Sequence, residues 1–266
     1  MNAPGLRDGV APGRLLDHES PAHKRTNQGA SMNVTIRVLA PQAFQIPLTA
    51  VGSLFEQVAR VRVQWLWGPA GGSSPQALVQ RLERGEAADV VLLPAALLAL
   101  QVQAGRVDEG SCTEVMRSRI GACVSQDHPR VDIGSAQALR LAIVQARGVA
   151  YSQAGSGVYV SQVLFGKLGI EPAQVRAVQV RDEPVAAAVA RGDAELGFQQ
   201  ISEILGQPGV CFAGPLPDDL QHVTVIAAGR SAGAAEPEAA RSFMQFLCSA
   251  EAAGPLADAG LDSCLG

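Results

Sequence analysis

No apolar run in this sequence is long and unbroken enough to cross a bilayer, because each is cut by charge or glycine. There is no basic stripe and no run of like charge, and 21 Lys and Arg stand against 25 Asp and Glu. That balance gives no footing for nucleic acid or a membrane surface as a partner. Only four histidines occur, and the five cysteines, Cys112, Cys123, Cys211, Cys248 and Cys264, are far apart with no CxxC among them. Zinc-site spacing is therefore missing, and neither a metal nor another cofactor is expected. An odd cysteine count leaves at least one thiol unpaired, which a reducing compartment accommodates most simply. The first 31 residues lack the hydrophobic segment of a secretory signal. Residues 1–32 read as a disordered leader, with Met32 placed where a second start would fall. The sequence as written expects a cytoplasmic protein, and a periplasmic one if the true start differs.

What is present is enough apolar residue, 47% of 266, for a large core, and a regular alternation of strand and helix patterns. Val34–Ala40, Val61–Trp67 and Ala88–Leu93 read as strands, each followed by a helical pattern. The nearly continuous apolar run in the third marks a central parallel strand. This order implies a parallel sheet covered on both faces, whose ligands sit beyond the carboxyl ends of the strands. A second set of α/β elements follows from about residue 117, and His222–Ala227 carries the chain back. The expected organisation is one lobe from 33–116 and 225–266 and a second from 117–224, with a cleft between them.

Two loops fall on that edge. Gly68-Pro69-Ala70-Gly71-Gly72-Ser73-Ser74-Pro75 follows the second strand, and Ser152-Gln153-Ala154-Gly155-Ser156-Gly157 follows Gly148–Ala150. Small, hydroxyl-bearing residues with no acidic side chain, set between a strand and a helix, aim free backbone N–H groups at one point. Such a point suits an anion. Either loop also reads as an ordinary turn with a serine cap, Ser156 in the second.

With these loops placed, the chain resembles the type II periplasmic solute-binding proteins, and most closely their molybdate-binding-like branch. The resemblance runs from about Asn33 to Gly260. It is carried by Trp67-Gly68-Pro69 through Ser74, Arg84-Gly85-Glu86-Ala87-Ala88-Asp89-Val90-Val91, Tyr151-Ser152 with Ser156-Gly157-Val158-Tyr159, and Gly192 through Gln200. It implies an α/β fold of two lobes that close on a small anion. The ligand contacts it implies are Gln42, Ala43, Gly71, Gly72, Ser73, Ser74, Ser152, Ser156, Gly157, Tyr159, Gln199 and Gln200. The loop after the first strand, usually Ala-Ser or Ser-Ser in molybdate binders, is Pro41-Gln42-Ala43 here.

The function expected is a solute-binding protein for a molybdate-like oxyanion or small carboxylate, partnered by an ABC transporter permease and performing no covalent chemistry. The alternative is an isomerase of small unsaturated carboxylates, since members similar to this branch include aconitate isomerases. A polycarboxylate calls for a cation, for which Arg117, Arg119 and Arg181 are candidates. No general base stands out by spacing, and the catalytic residues are left open.

Overall fold

The computed structural model describes Met1 and residues 34–72, 74–153, 155–181 and 183–265. The expected leader and Ser73 lie outside the described residues. From Val34 onward the chain builds two mixed sheets with helices on their faces.

The first sheet begins with β1 (Val34–Pro41), whose last four residues are buried. A 3-10 turn at Gln42–Phe44 leads into α1 (Gln45–Ala59), which buries Leu48, Val51 and Phe55 at helical spacing. Pro47 stands in the first turn of α1, where its missing N–H costs nothing. Then come β2 (Val61–Gly68), α2 (Leu78–Glu83), β3 (Val90–Pro94) and α3 (Ala95–Gln103). Val90 through Leu93 are fully buried, because this strand is covered on both faces. β4 (Thr113–Ser118) completes the outward path.

The chain passes to the second sheet at Arg119. There it forms β5 (Ile120–Ser125), α4 (Ala136–Gln145), β6 (Val149–Ser152), α5 (Ser156–Tyr159), a π turn at Val160–Leu164, α6 (Phe165–Lys167), β7 (Ala177–Val180), α7 (Val185–Ala190), β8 (Leu196–Gln200), α8 (Ile201–Ile204) and β9 (Val210–Pro215). It returns through β10 (Thr224–Arg230), α9 (Pro237–Leu247), α10 (Ala250–Asp258) and β11 (Leu261–Ser263).

The strand orders are β11-β4-β10-β3-β1-β2 and β7-β6-β8-β5-β9. β1, β2 and β3 run parallel as expected, but β10 enters antiparallel between β3 and β4, and β11 is antiparallel to β4. The all-parallel expectation fails there because β10 re-enters the first sheet from the other one, against the direction of β3. Each sheet has apolar packing in two groups. Phe44, Phe55, Phe243 and Leu247 lie in one and Leu78, Leu82 and Leu98 in another for the first sheet. Leu139, Leu164 and Phe198, then Val185 and Val189, do the same for the second.

The two crossings are fastened side by side. The Gln221 side-chain amide accepts from Ile120 N–H at 2.9 Å and donates to Ile120 C=O at 2.9 Å. One side chain thus imitates the pairing of a strand.

Candidate functional site

The carboxyl ends of β1 and β8 and the two crossings meet at the seam between the sheets. α8 is packed against the Gln42–Phe44 turn of the first sheet. A Cβ on Gly260, beyond α10, would meet Ile201 and Leu205 of that same segment.

The loop after β2 is longer than the sequence suggests. Ser74 does not cap α2, which starts at Leu78 with Ala77 ahead of it. Instead Ser74 closes a turn, its Oγ accepting from Gln76 N–H at 3.2 Å and its C=O from Ala77 N–H at 2.9 Å. Gly71 is half-buried, Gly72 takes a left-handed φ of 105°, and Ser74 is exposed. The loop is held from below by Arg81, which donates to Trp67 C=O at 2.8 Å and pairs with Glu86 through two hydrogen bonds of 2.7 and 2.5 Å. Part of the Arg84–Val91 stretch is therefore support for the loop. Asp89 ties other elements together: its carboxylate accepts from the N–H groups of Arg37 on β1 and of Ala235 and Glu236 ahead of α9 at 2.7, 2.7 and 3.0 Å.

In the second sheet, Gly155, not Ser156, occupies the cap position of α5, with a φ of 54° that favours glycine. Ser156 and Gly157 are buried. A Cβ at Gly157 would collide with the backbone of Ser152, so this loop folds back on itself only with glycine there. Ser152 is half-buried at the end of β6. Tyr159 turns to the second crossing: its hydroxyl donates to Leu220 C=O at 2.7 Å and its ring stacks on His222, centroids 4.8 Å apart. Tyr151 is buried edge-on to Phe165. Gln42 is exposed and Ala43 half-exposed in the turn after β1.

Gln199 and Gln200 are buried at the end of β8. Gln200 joins both crossings, accepting from Ser118 Oγ at 2.8 Å and donating to Thr224 Oγ1 at 3.3 Å. Gln199 accepts from Ala186 N–H at the start of α7, 3.1 Å away, and its side chain also hydrogen-bonds Glu203.

Glu203 is the residue that spacing missed. Burial pushes its carboxyl up to about 7, against the opposing pull of hydrogen bonds from Gln199 and from the Gln200 backbone. The residue as a whole is only partly covered, so it is the carboxyl end that lies in the low-dielectric part. Arg119 Nε and Ser202 Oγ are, among the described residues, the two buried side-chain polar atoms without a partner. The backbones of the two residues meet, since Ile201 N–H, next to Ser202, donates to Arg119 C=O at 2.9 Å. Burying a polar atom unpaired is costly, so these two atoms set the first crossing and α8 apart from the rest of the described structure. The outer end of Arg119 reaches Asp262 at 3.2 Å. Of the other cations, Arg117 pairs with Glu114 on the surface and Arg181 is exposed. The one signal for Glu203 in the sequence is an acid between Ile201 and Ile204-Leu205, in the stretch that follows two glutamines.

This geometry has the form of a ligand clamp, and residues 36–262 match the family described as bacterial extracellular solute-binding protein. The chain belongs to that family. A relative within reach of residue-level likeness is an aconitate isomerase of Pseudomonas sp, 36% identical over 228 residues, which are 85% of this chain and 87% of that protein. Among solved structures, the substrate-binding domain of a putative molybdenum ABC transporter from Clostridium difficile aligns with a TM-score of 0.70 at 15% identity, over 86% of this chain and 99% of that one. The periplasmic molybdate-binding protein of Azotobacter vinelandii aligns at 0.68 and 21% identity, over 85% and 98%. At those identities the structures establish the two-lobed α/β fold of this solute-binding protein and leave its ligand to its own residues. No helix among the described residues is long and apolar enough to cross a membrane.

Proposed function

We propose that this solute-binding protein takes a small unsaturated polycarboxylate at the seam between its sheets and moves the ligand's double bond, as an isomerase of the aconitate type. The observation that carries the reading is Glu203 on α8, a carboxyl that burial holds near 7 on the segment packed against the Gln42–Phe44 turn of the first sheet. The aconitate isomerase relative supports it from outside.

Such an isomerisation is an allylic proton shift. A base removes a proton from the methylene carbon next to the double bond, leaving negative charge spread over three carbons and their carboxylates. The same group, now an acid, returns the proton to the far carbon. A group titrating close to neutral performs both halves at comparable rates. Glu203 has that property. Arg119 supplies positive charge for one ligand carboxylate, and the N–H groups of the Gly71–Ser74 and Ser152–Gly157 loops serve the others. Ser202 Oγ donates to the charge that develops as the proton leaves.

A second reading keeps the binding and omits the turnover: a receptor that delivers a molybdate-like oxyanion or small carboxylate to an ABC transporter permease. The neutral loops after β2 and β6 favour it, because hydroxyls and backbone N–H groups suffice for a tetrahedral oxyanion. One experiment separates the two. Purified protein is screened by thermal shift with molybdate, sulfate, phosphate and cis- and trans-aconitate, then incubated with trans-aconitate while the cis isomer is followed by proton NMR. The isomerase reading expects stabilisation by the carboxylates and growth of the cis signal. Stabilisation by tetrahedral oxyanions alone, with trans-aconitate unchanged, selects the receptor.

A further inference from the structure

At the outer edge of the first sheet, two cysteines converge from different elements. Cys248 ends α9, and its Sγ lies 3.4 Å from Glu114 C=O on β4. Cys264 follows β11, whose last residue Ser263 pairs with Met116 of the same β4. Continued by one residue, that register sets Cys264 opposite Val115, next to Glu114. The two thiols are close enough to influence each other's titration, and both residues are half-buried. The remaining cysteines, Cys112, Cys123 and Cys211, are unpaired as well, and Cys123 is fully buried.

A cavity of about 470 Å³ opens beside Cys248 and is lined by Thr113, Arg241, Gln245 and Cys248 itself. Cys264 does not line it and is reached from its own half-exposed face. We infer that Cys248 and Cys264 form an intramolecular disulfide on exposure to a low-molecular-weight disulfide such as oxidised glutathione, fastening the C-terminal strand to α9. The reaction is two exchanges. The Cys264 thiolate attacks one sulfur of oxidised glutathione, breaking its S–S bond, forming a mixed disulfide and expelling one glutathione thiolate. Cys248 then loses its proton and attacks the Cys264 sulfur, forming the protein disulfide and expelling the second glutathione. Two protein thiols are oxidised, one glutathione disulfide is reduced, and the two protons end on glutathione. Cys264 goes first because burial and the neighbouring thiol push Cys248 up to about 12, which holds it protonated. Asp262 on β11 is the residue that engages Arg119 at the first crossing, so the bridge also braces the edge of the seam.

The test uses the full chain. Protein is treated with oxidised glutathione, free thiols are capped with an alkylating reagent, and peptides are mapped by mass spectrometry without reduction. The expected result is a peptide pair joined through Cys248 and Cys264, with the buried Cys123 still free and the exposed Cys112 and Cys211 in no protein bridge. The melting temperature should rise by about 5 °C and return on adding a reductant. In Cys248→Ser the reaction should stop at one glutathione on Cys264. Full alkylation of both cysteines after prolonged treatment, or a bridge that uses Cys112 or Cys211 instead, overturns the assignment. A bridge with no rise in melting temperature overturns the bracing role.

Discussion

Two carboxylates near the ends of strands do opposite things in this molecule. Asp89, just ahead of β3, is 2% exposed and occupied by three backbone N–H groups drawn from β1 and from the approach to α9. Glu203, just after β8, has hydrogen bonds from one amide side chain and one backbone N–H, and burial outweighs both. Asp89 locks the first sheet and has no capacity left for a ligand. Glu203 lies on α8, which meets the Gln42–Phe44 turn of the first sheet, and burial raises its carboxyl to about 7. On the proposed function it is the group that exchanges a proton. Burial alone therefore does not distinguish frame from function here; the number and source of the donors do.

The largest effect expected from breaking the contrast is on chemistry. Glu203→Gln keeps the size and the hydrogen bond to Gln199 and removes the exchangeable proton. Turnover of trans-aconitate should fall by about 10²–10⁴, while the dissociation constant measured by calorimetry stays within about threefold. Retained turnover would move the base elsewhere.

Asp89→Ala should act on the other side, costing about 3–5 kcal/mol of stability in urea unfolding, since three buried N–H groups lose a charged partner. The protein that remains folded should bind ligand normally. If binding suffers while stability holds, Asp89 is misassigned as frame.

Protons sharpen the comparison. The Glu203 carboxyl is raised in the folded state from the ordinary 4.5 to about 7. The folded protein thus binds more protons than the unfolded chain between those values, and stability declines as pH rises through that window. The loss should be on the order of 2–3 kcal/mol and complete above about pH 7. Urea midpoints at pH 5 and pH 8 should show it in the wild type relative to Glu203→Gln. Parallel curves for the two proteins would remove the buried carboxyl from the account.

The smallest effect belongs to the crossings. Gln221→Ala leaves the Ile120 N–H without its partner, while Ile120 C=O keeps Leu216 N–H, and should cost about 1–3 kcal/mol. Hydrogen exchange at Ile120 should quicken while β1 and β3 stay protected. Uniform quickening across both sheets would mean that the crossings do not move independently.

The alternating strands, the helix stripes of α1 and α9 and the two glycine-bearing loops were legible in the sequence because each is written in local periodicity or turn chemistry. β11 and α10 were not: one is three residues long, and the other follows α9 with Ser249 as its cap after a stretch that reads as a tail. The entry of β10 between β3 and β4 was hidden too, because strand direction depends on where the chain has been and not on its pattern. At the site, the glycine-rich loops were readable but the demand at each glycine was not: the cap read on Ser156 falls on Gly155, and the close approach at Gly157 shows only in the fold. The roles of Tyr159, Gln199 and Gln200 depend on partners 13 to 82 residues away, which no spacing reveals. Glu203 was lost for the same reason, since its carboxyl is raised by what folds around it.

The measurement that bears most directly on the central claim is the pH profile of turnover of trans-aconitate by the wild-type protein, from pH 4 to pH 9, set beside Glu203→Gln. A limb with a midpoint near 7, absent along with nearly all activity in the variant, is the predicted result. Isomerisation with no titration in that window, or a variant as active as the wild type, would contradict it.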